Sequence, residues 1–116
     1  MSLLAELQTF NVDIQDGLKR FVNNAALYEK MLKKFPAAAE GLPVKECFDS
    51  GDLEGALANA HTLKGMTGNL SLTPLFAAYT EIVALLRENS PEKAKELLVG
   101  ILPVQQGIID CIKAHV

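Results

Sequence analysis

The 116-residue sequence has no tryptophan, only two cysteines and two histidines, and an aromatic content of 6%. With Cys47 and Cys111 set far apart and no C-x-x-C spacing, a disulfide framework or a zinc ribbon is excluded. One structural disulfide is conceivable, but two free thiols behaving as small hydrophobes are the simpler expectation. Basic residues are scattered, eleven against fourteen acidic ones for a net charge of −3, so there is no electrostatic footprint for nucleic acid. Uninterrupted apolar runs such as Ile82–Leu86 fall far short of the roughly 20 residues that span a bilayer, so no membrane insertion is expected. No charged segment followed by an apolar one opens the chain, which makes a cytoplasmic setting the default. Met1-Ser2-Leu3 reads equally well as a cloning scar, and the chain as a piece of a longer protein.

What the chain does have is apolar residues at 49%, enough to close one hydrophobic core, so a single domain over 1–116 is expected. They recur at helical spacing. Leu18, Phe21, Val22 and Ala25 form one stripe, and Tyr28, Met31, Leu32 and Phe35 the next. Further sets run from Leu53 to Leu70, from Leu75 to Leu86 and from Leu97 to Ile112. No stretch alternates apolar and polar with β-branched enrichment, so no sheet is expected. Ser50-Gly51-Asp52, Thr73-Pro74 and Ser90-Pro91 mark helix starts. Phe35-Pro36 and Gly41-Leu42-Pro43 should bend or break a helix, and Leu102-Pro103 should kink one. The pattern predicts an all-α chain, a short N-terminal helix followed by helices near 24–49, 52–70, 74–88 and 91–115. Short connections between the long helices make this an up-down antiparallel four-helix bundle with a short additional N-terminal helix.

The helix over 52–70 carries the candidate chemistry. Winding it at about 100° per residue puts Leu53, Ala56, Ala60, Leu63, Thr67 and Leu70 on one side. His61 lies about 100° away from that stripe, at the core's edge and facing outward. Glu54, Ala58, Lys64, Gly65 and Gly68 fall along its line. Two interior glycines each cost about 1 kcal/mol against alanine, which makes sense if another macromolecule approaches the backbone beside the imidazole. Lys64, at i+3, can reach the same face, disfavour protonation of the ring and attract an anion placed on it. A nucleophile, a cation and a cleared approach together suit a phosphoryl acceptor.

The string Ala60-His61-Thr62-Leu63-Lys64-Gly65, continuing Met66-Thr67-Gly68-Asn69-Leu70, resembles the signature of histidine-containing phosphotransfer (HPt) domains. The resemblance extends to Leu27–Phe35, to Ser50-Gly51-Asp52, and to Glu81 with Arg87. It implies that His61 carries the phosphoryl group on its outer ring nitrogen, that Lys64 stabilises phosphate charge and that Gly65 leaves room for it. Gly68 and Arg87 would line the docking surface. It further implies a monomeric phosphocarrier in a two-component phosphorelay, not an enzyme, working between response-regulator receiver domains and a hybrid sensor histidine kinase. The receivers would supply the aspartate and the Mg²⁺. Ser71 and Leu72 stand where the family usually has Gly-Ala, a change expected to affect the helix end and not the site.

No Gly-rich nucleotide loop and no Asp/Asn cluster appears, so neither ATP, another cofactor nor a metal is expected on this chain. Two alternatives compete. A sensor-kinase dimerisation segment would place Glu directly after its histidine, where Thr62 stands. A helical bundle that docks receivers without carrying phosphate is the other. As bland readings, Arg87 and Glu54 are solvated charges, Glu81 pairs with a neighbouring cation, His115 is structural or idle, and Phe76 and Tyr79 are core or rim.

Overall fold

A computed structural model describes residues 2–115, which form eight helices and no strand among the described residues. Three are long: α6 (Leu53–Asn69), α7 (Thr73–Arg87) and α8 (Pro91–Ala114). Five short ones precede them: α1 (Leu3–Gln8), α2 (Ile14–Arg20), α3 (Ala25–Leu32), α4 (Phe35–Glu40) and α5 (Val44–Asp49). α7 packs against both α6 and α8, while α5 touches α6 and α8 and closes the ring, with α4 and α1 also laid on α8. The fourth side of the bundle is therefore assembled from short pieces. The core is largely apolar, centred on Tyr28, Leu32, Phe35, Leu63, Leu75, Tyr79, Ile82, Leu98, Ile108 and Ile112, with Thr67 and Ser71 also buried.

The segment expected as one helix near 24–49 is broken at both proline sites, into α3, α4 and α5. Pro36 sits in the first turn of α4, where its missing N–H costs nothing, and Pro43 precedes α5. Pro103 acts differently: α8 continues through it as one helix. By composition α8 is also long and apolar enough to cross a membrane, with mean hydropathy 1.4 over its best window. In this fold its Ala94, Leu98, Ile108 and Ile112 are wholly buried in the bundle core.

The N-terminal region holds two helices where one was expected, because α1 and α2 end in turns that carry no Gly or Pro. At five helix ends the chain closes with the same pair of backbone bonds around a residue in the left-handed region, joined after α2 by a second, Asn23 (φ 59). The five are Asn11, Val22, Gly51, Ser71 and Asn89. At α6, for example, Leu72 N–H reaches Thr67 C=O at 2.9 Å and Ser71 N–H reaches Gly68 C=O at 3.1 Å. Only Gly51 announces such a turn in sequence. Val22, expected in an apolar stripe, therefore lies outside any helix and is 88% exposed. Leu53 likewise leaves the buried stripe of α6 at 43% exposure, because it begins the helix beyond its neighbours' cover.

Helix starts follow the expected chemistry in part. Asp52 Oδ1 accepts from Gly55 N–H at 2.9 Å and caps α6. Thr73 does not cap α7; its hydroxyl donates to Asn11 C=O at 3.0 Å and accepts from Asp13 N–H at 3.2 Å, tying the start of α7 to the α1–α2 loop.

Candidate phosphoryl-acceptor site

α6 buries Ala56, Ala60, Leu63 and Thr67 on one side, so the helical period turns His61 outward, and it is exposed. Thr67, the one polar residue of the buried stripe, is satisfied within the helix by donating to Leu63 C=O at 2.8 Å. His61 opens onto a cleft of about 280 Å³ lined also by Lys64, Gly65, Gly68 and Asn69 of α6, Phe76 of α7 and Arg20 of α2. No carboxylate lines it. Its charged lining is two cations, Lys64 and Arg20, the second paired with Asp16 outside the lining.

The two glycines play different parts. A Cβ added at Gly65 would meet nothing within 4 Å, so this position is open to whatever approaches His61. A Cβ at Gly68 would stand 3.0 Å from the Phe76 ring, so this glycine lets the ring lie down on α6 and wall the cleft. Phe76 is 39% exposed, a rim residue as one of the bland readings had it. Tyr79 is core, fully buried, with its hydroxyl on Gln105.

Arg20 and Asn69 are the site residues that sequence reasoning missed. Arg20 stands in the last turn of α2, and its Nε donates to Asp16 Oδ2 at 2.9 Å, one turn back. The same oxygen accepts the Ser71 hydroxyl at 2.5 Å. The Arg20 guanidinium first, and the Ser71 hydroxyl second, hold the Asp16 carboxyl below the usual carboxylate range. Ser71, expected to leave the site untouched, is thus linked to it through Asp16 and Arg20. No local signal marks Arg20, since a lysine–arginine pair at a helix end is ordinary. Asn69 could have been found as the last α6 residue on the His61 side.

The structure does not bring Arg87 to the cleft. It lies at the far end of α7 from Phe76, eleven residues along, roughly 16 Å by helix rise. Glu81 lines a separate groove between α7 and α8 with Lys93 and Glu96. Glu54 is exposed and outside the cleft. His115 is structural: its Nε2 lies 3.2 Å from Glu6 Oε2, which also accepts from Cys111 Sγ at 3.3 Å, so α1 and the end of α8 are pinned together. Cys111 is buried and its thiol is pushed up to about 11, chiefly by burial; Cys47 is half-buried, and both are free. Among the described residues no group of three or more His, Cys, Asp or Glu is arranged to hold a metal ion.

The cleft thus brings together an outward histidine, a lysine one turn on and an open glycine at the edge of a helical bundle. The Hpt domain model matches residues 3–114, nearly the whole chain. The chain belongs to the Hpt domain family, whose members act in phosphotransfer within two-component signalling, as carriers that interact with receiver domains and have no kinase activity of their own. Neither a curated protein nor a solved structure matches closely enough to add a named relative.

Proposed function

We propose that the chain is one phosphotransfer domain in which His61 accepts a phosphoryl group from a receiver-domain aspartate and passes it to the aspartate of a second receiver. The observation that carries this reading is the exposed imidazole sharing an open cleft with Lys64 and an unobstructed Gly65. In the forward step the lone pair of the outer ring nitrogen attacks phosphorus. A P–N bond forms, the P–O bond of the acyl phosphate breaks, and the donor carboxylate leaves with the electron pair. In the onward step a receiver carboxylate attacks, P–O forms, P–N breaks, and the neutral imidazole departs. The charge on the moving group is spread over its oxygens, so a nearby cation lowers the barrier without covalent chemistry. Lys64 supplies that cation, and Mg²⁺ comes with the receiver.

Docking suits an apolar rim. Phe76 provides one part, and a second, largely apolar cleft of about 240 Å³ shares Asn69 and is lined by Phe21, Met31, Phe35 and Met66. We place Gly68 in this surface through the ring it seats. The setting is cytoplasmic and the chain monomeric, in contrast to a kinase segment, which dimerises through its own bundle.

The test is to incubate the chain with a receiver domain, acetyl phosphate and Mg²⁺, and to weigh it intact. The expected result is a gain of one phosphoryl group that is absent without the receiver and absent in His61→Gln. A His61→Gln protein that is still labelled contradicts the assignment, and an unlabelled wild type favours a bundle that only docks receivers. Sedimentation as a dimer would favour the kinase segment.

A further inference from the structure

We propose that Arg20 is a second phosphoryl-binding cation of this site, and that Asp16 and Ser71 are the residues that position it. The inference rests on His61 being the acceptor, and adds to that reading a residue from a different helix, 41 positions away in sequence.

Lys64 rises from α6 itself, whereas Arg20 reaches the same cleft from the end of α2. A group on His61 would therefore stand between cations from two elements. Two positive charges suit a phosphoryl group that carries close to two negative ones near neutral pH. The guanidinium also has the geometry: Asp16 takes its Nε, and among the described residues no hydrogen bond engages the two terminal nitrogens. Those nitrogens form a fork that can grip two phosphoryl oxygens, which a lysine cannot do.

The bond to Asp16 contributes little to folding. Both side chains are more than 40% exposed, and a solvated i,i+4 pair adds little to stability. Its consequence is directional. Asp16 in turn is fixed by the buried Ser71 hydroxyl, which enters from the turn that ends α6. The helix that bears His61 thereby sets where the guanidinium of α2 stands. Ser71 holds a left-handed conformation (φ 54) that glycine would adopt more easily, so a backbone requirement alone does not account for serine there.

Phosphoramidate tests this without any partner protein. It phosphorylates histidine directly: the P–N bond of the donor breaks, ammonia leaves, and a P–N bond to the imidazole forms. Labelling of the wild type, Arg20→Ala, Arg20→Lys, Ser71→Gly and Ser71→Ala is followed by intact mass, with the melting temperature of each. Arg20→Ala is expected to label about tenfold more slowly and to lose its phosphoryl group faster, with the melting temperature nearly unchanged. Arg20→Lys should recover part of the rate, because charge returns without the fork. Ser71→Gly should fold as well as wild type or better and still label more slowly, because the hydroxyl that fixes Asp16 is gone; Ser71→Ala reports the same loss without the backbone relief. Raising the salt should narrow the gap between wild type and Arg20→Ala. Wild-type rates in Arg20→Ala overturn the proposal, and so does a variant slow only with a receiver, which would make Arg20 a docking residue. A wild-type chain that takes no label while its His61→Gln variant behaves identically overturns the acceptor reading and this one with it, a result distinct from labelling that ignores Arg20.

Discussion

The Phe76 ring lies across Gly68 so closely that a Cβ at that glycine would come within 3.0 Å of two ring carbons. The contact joins α7 to the helix that bears His61, and it sets the width of the cleft. Gly68→Ala should shift the ring by a few tenths of an ångström, which the partly exposed Phe76 can do. The helix-propensity gain of up to about 1 kcal/mol offsets that strain. Thermal unfolding is expected to stay within about 0.5 kcal/mol of wild type while transfer from a phosphorylated receiver slows. Adding Phe76→Ala should restore part of the rate if the displaced ring is the cause. A Gly68→Ala chain with normal transfer would show that the wall need not be so placed.

Gly65 gives the opposite expectation, because no atom stands within 4 Å of a Cβ there. Gly65→Ala should raise stability by up to about 1 kcal/mol. Gly65→Leu should keep the fold, since its side chain points into open space, yet lose most transfer from a receiver, whose active site must pass over that position. Circular dichroism and a transfer assay separate the two effects. Wild-type transfer by Gly65→Leu would mean that the open approach has no role.

Val22 is a β-branched residue held at φ 55 and 88% exposed, so it carries backbone strain without compensating burial. It occupies the closing position of α2, where Asn23 N–H reaches Leu18 C=O at 2.7 Å. Val22→Asn relieves the left-handed penalty and should stabilise the fold by up to about 1 kcal/mol in a urea titration. A loss of stability would indicate that the valine makes contacts in solution that outweigh its strain.

How far the sequence could be read follows from these cases. α6 was legible because its cap, its stripe and its outward face all depend on residues within four positions of one another. His61, Lys64, Gly65 and Gly68 fall together in one cleft for the same reason. The breaks at Pro36 and Pro43 were legible because proline favours the start of a new helix over the middle of an old one, although α8 runs through Pro103. The turns at Asn11, Val22 and Ser71 were not, since the backbone there is left-handed without glycine and the local pattern simply runs on. Arg20 was invisible because its place depends on Asp16 meeting Ser71, 55 residues apart, a contact that only chain closure creates. Arg87 failed to join the site for the converse reason: resemblance assigns a helix position, but distance along α7 decides what it reaches.

The Glu6 cluster predicts an acid-side signature. The hydrogen bond from His115, and then that from Cys111, hold the Glu6 carboxyl below its ordinary value of 4.5. A depressed carboxylate contributes stability that is present above its unfolded value and lost as pH falls through the folded one. Wild type should therefore lose melting temperature more steeply than Glu6→Gln as pH drops below about 4.5, while Asp16 and Asp49, lowered likewise, act equally in both. Parallel curves for the two proteins would remove Glu6 from the account of how α1 is held to α8.

The central claim is that one histidine of two carries the phosphoryl group, and the measurement that addresses it most directly is its location in the labelled chain. After transfer from a receiver, the protein is digested at neutral to mildly alkaline pH, where the P–N bond survives, and the fragments are sequenced by tandem mass spectrometry. The expected result is a phosphoryl group on His61, in the peptide that contains Ala60-His61-Thr62-Leu63-Lys64, and none on His115, whose Nε2 faces Glu6. A label found on His115, or on a hydroxyl or carboxylate elsewhere with His61 bare, would contradict it.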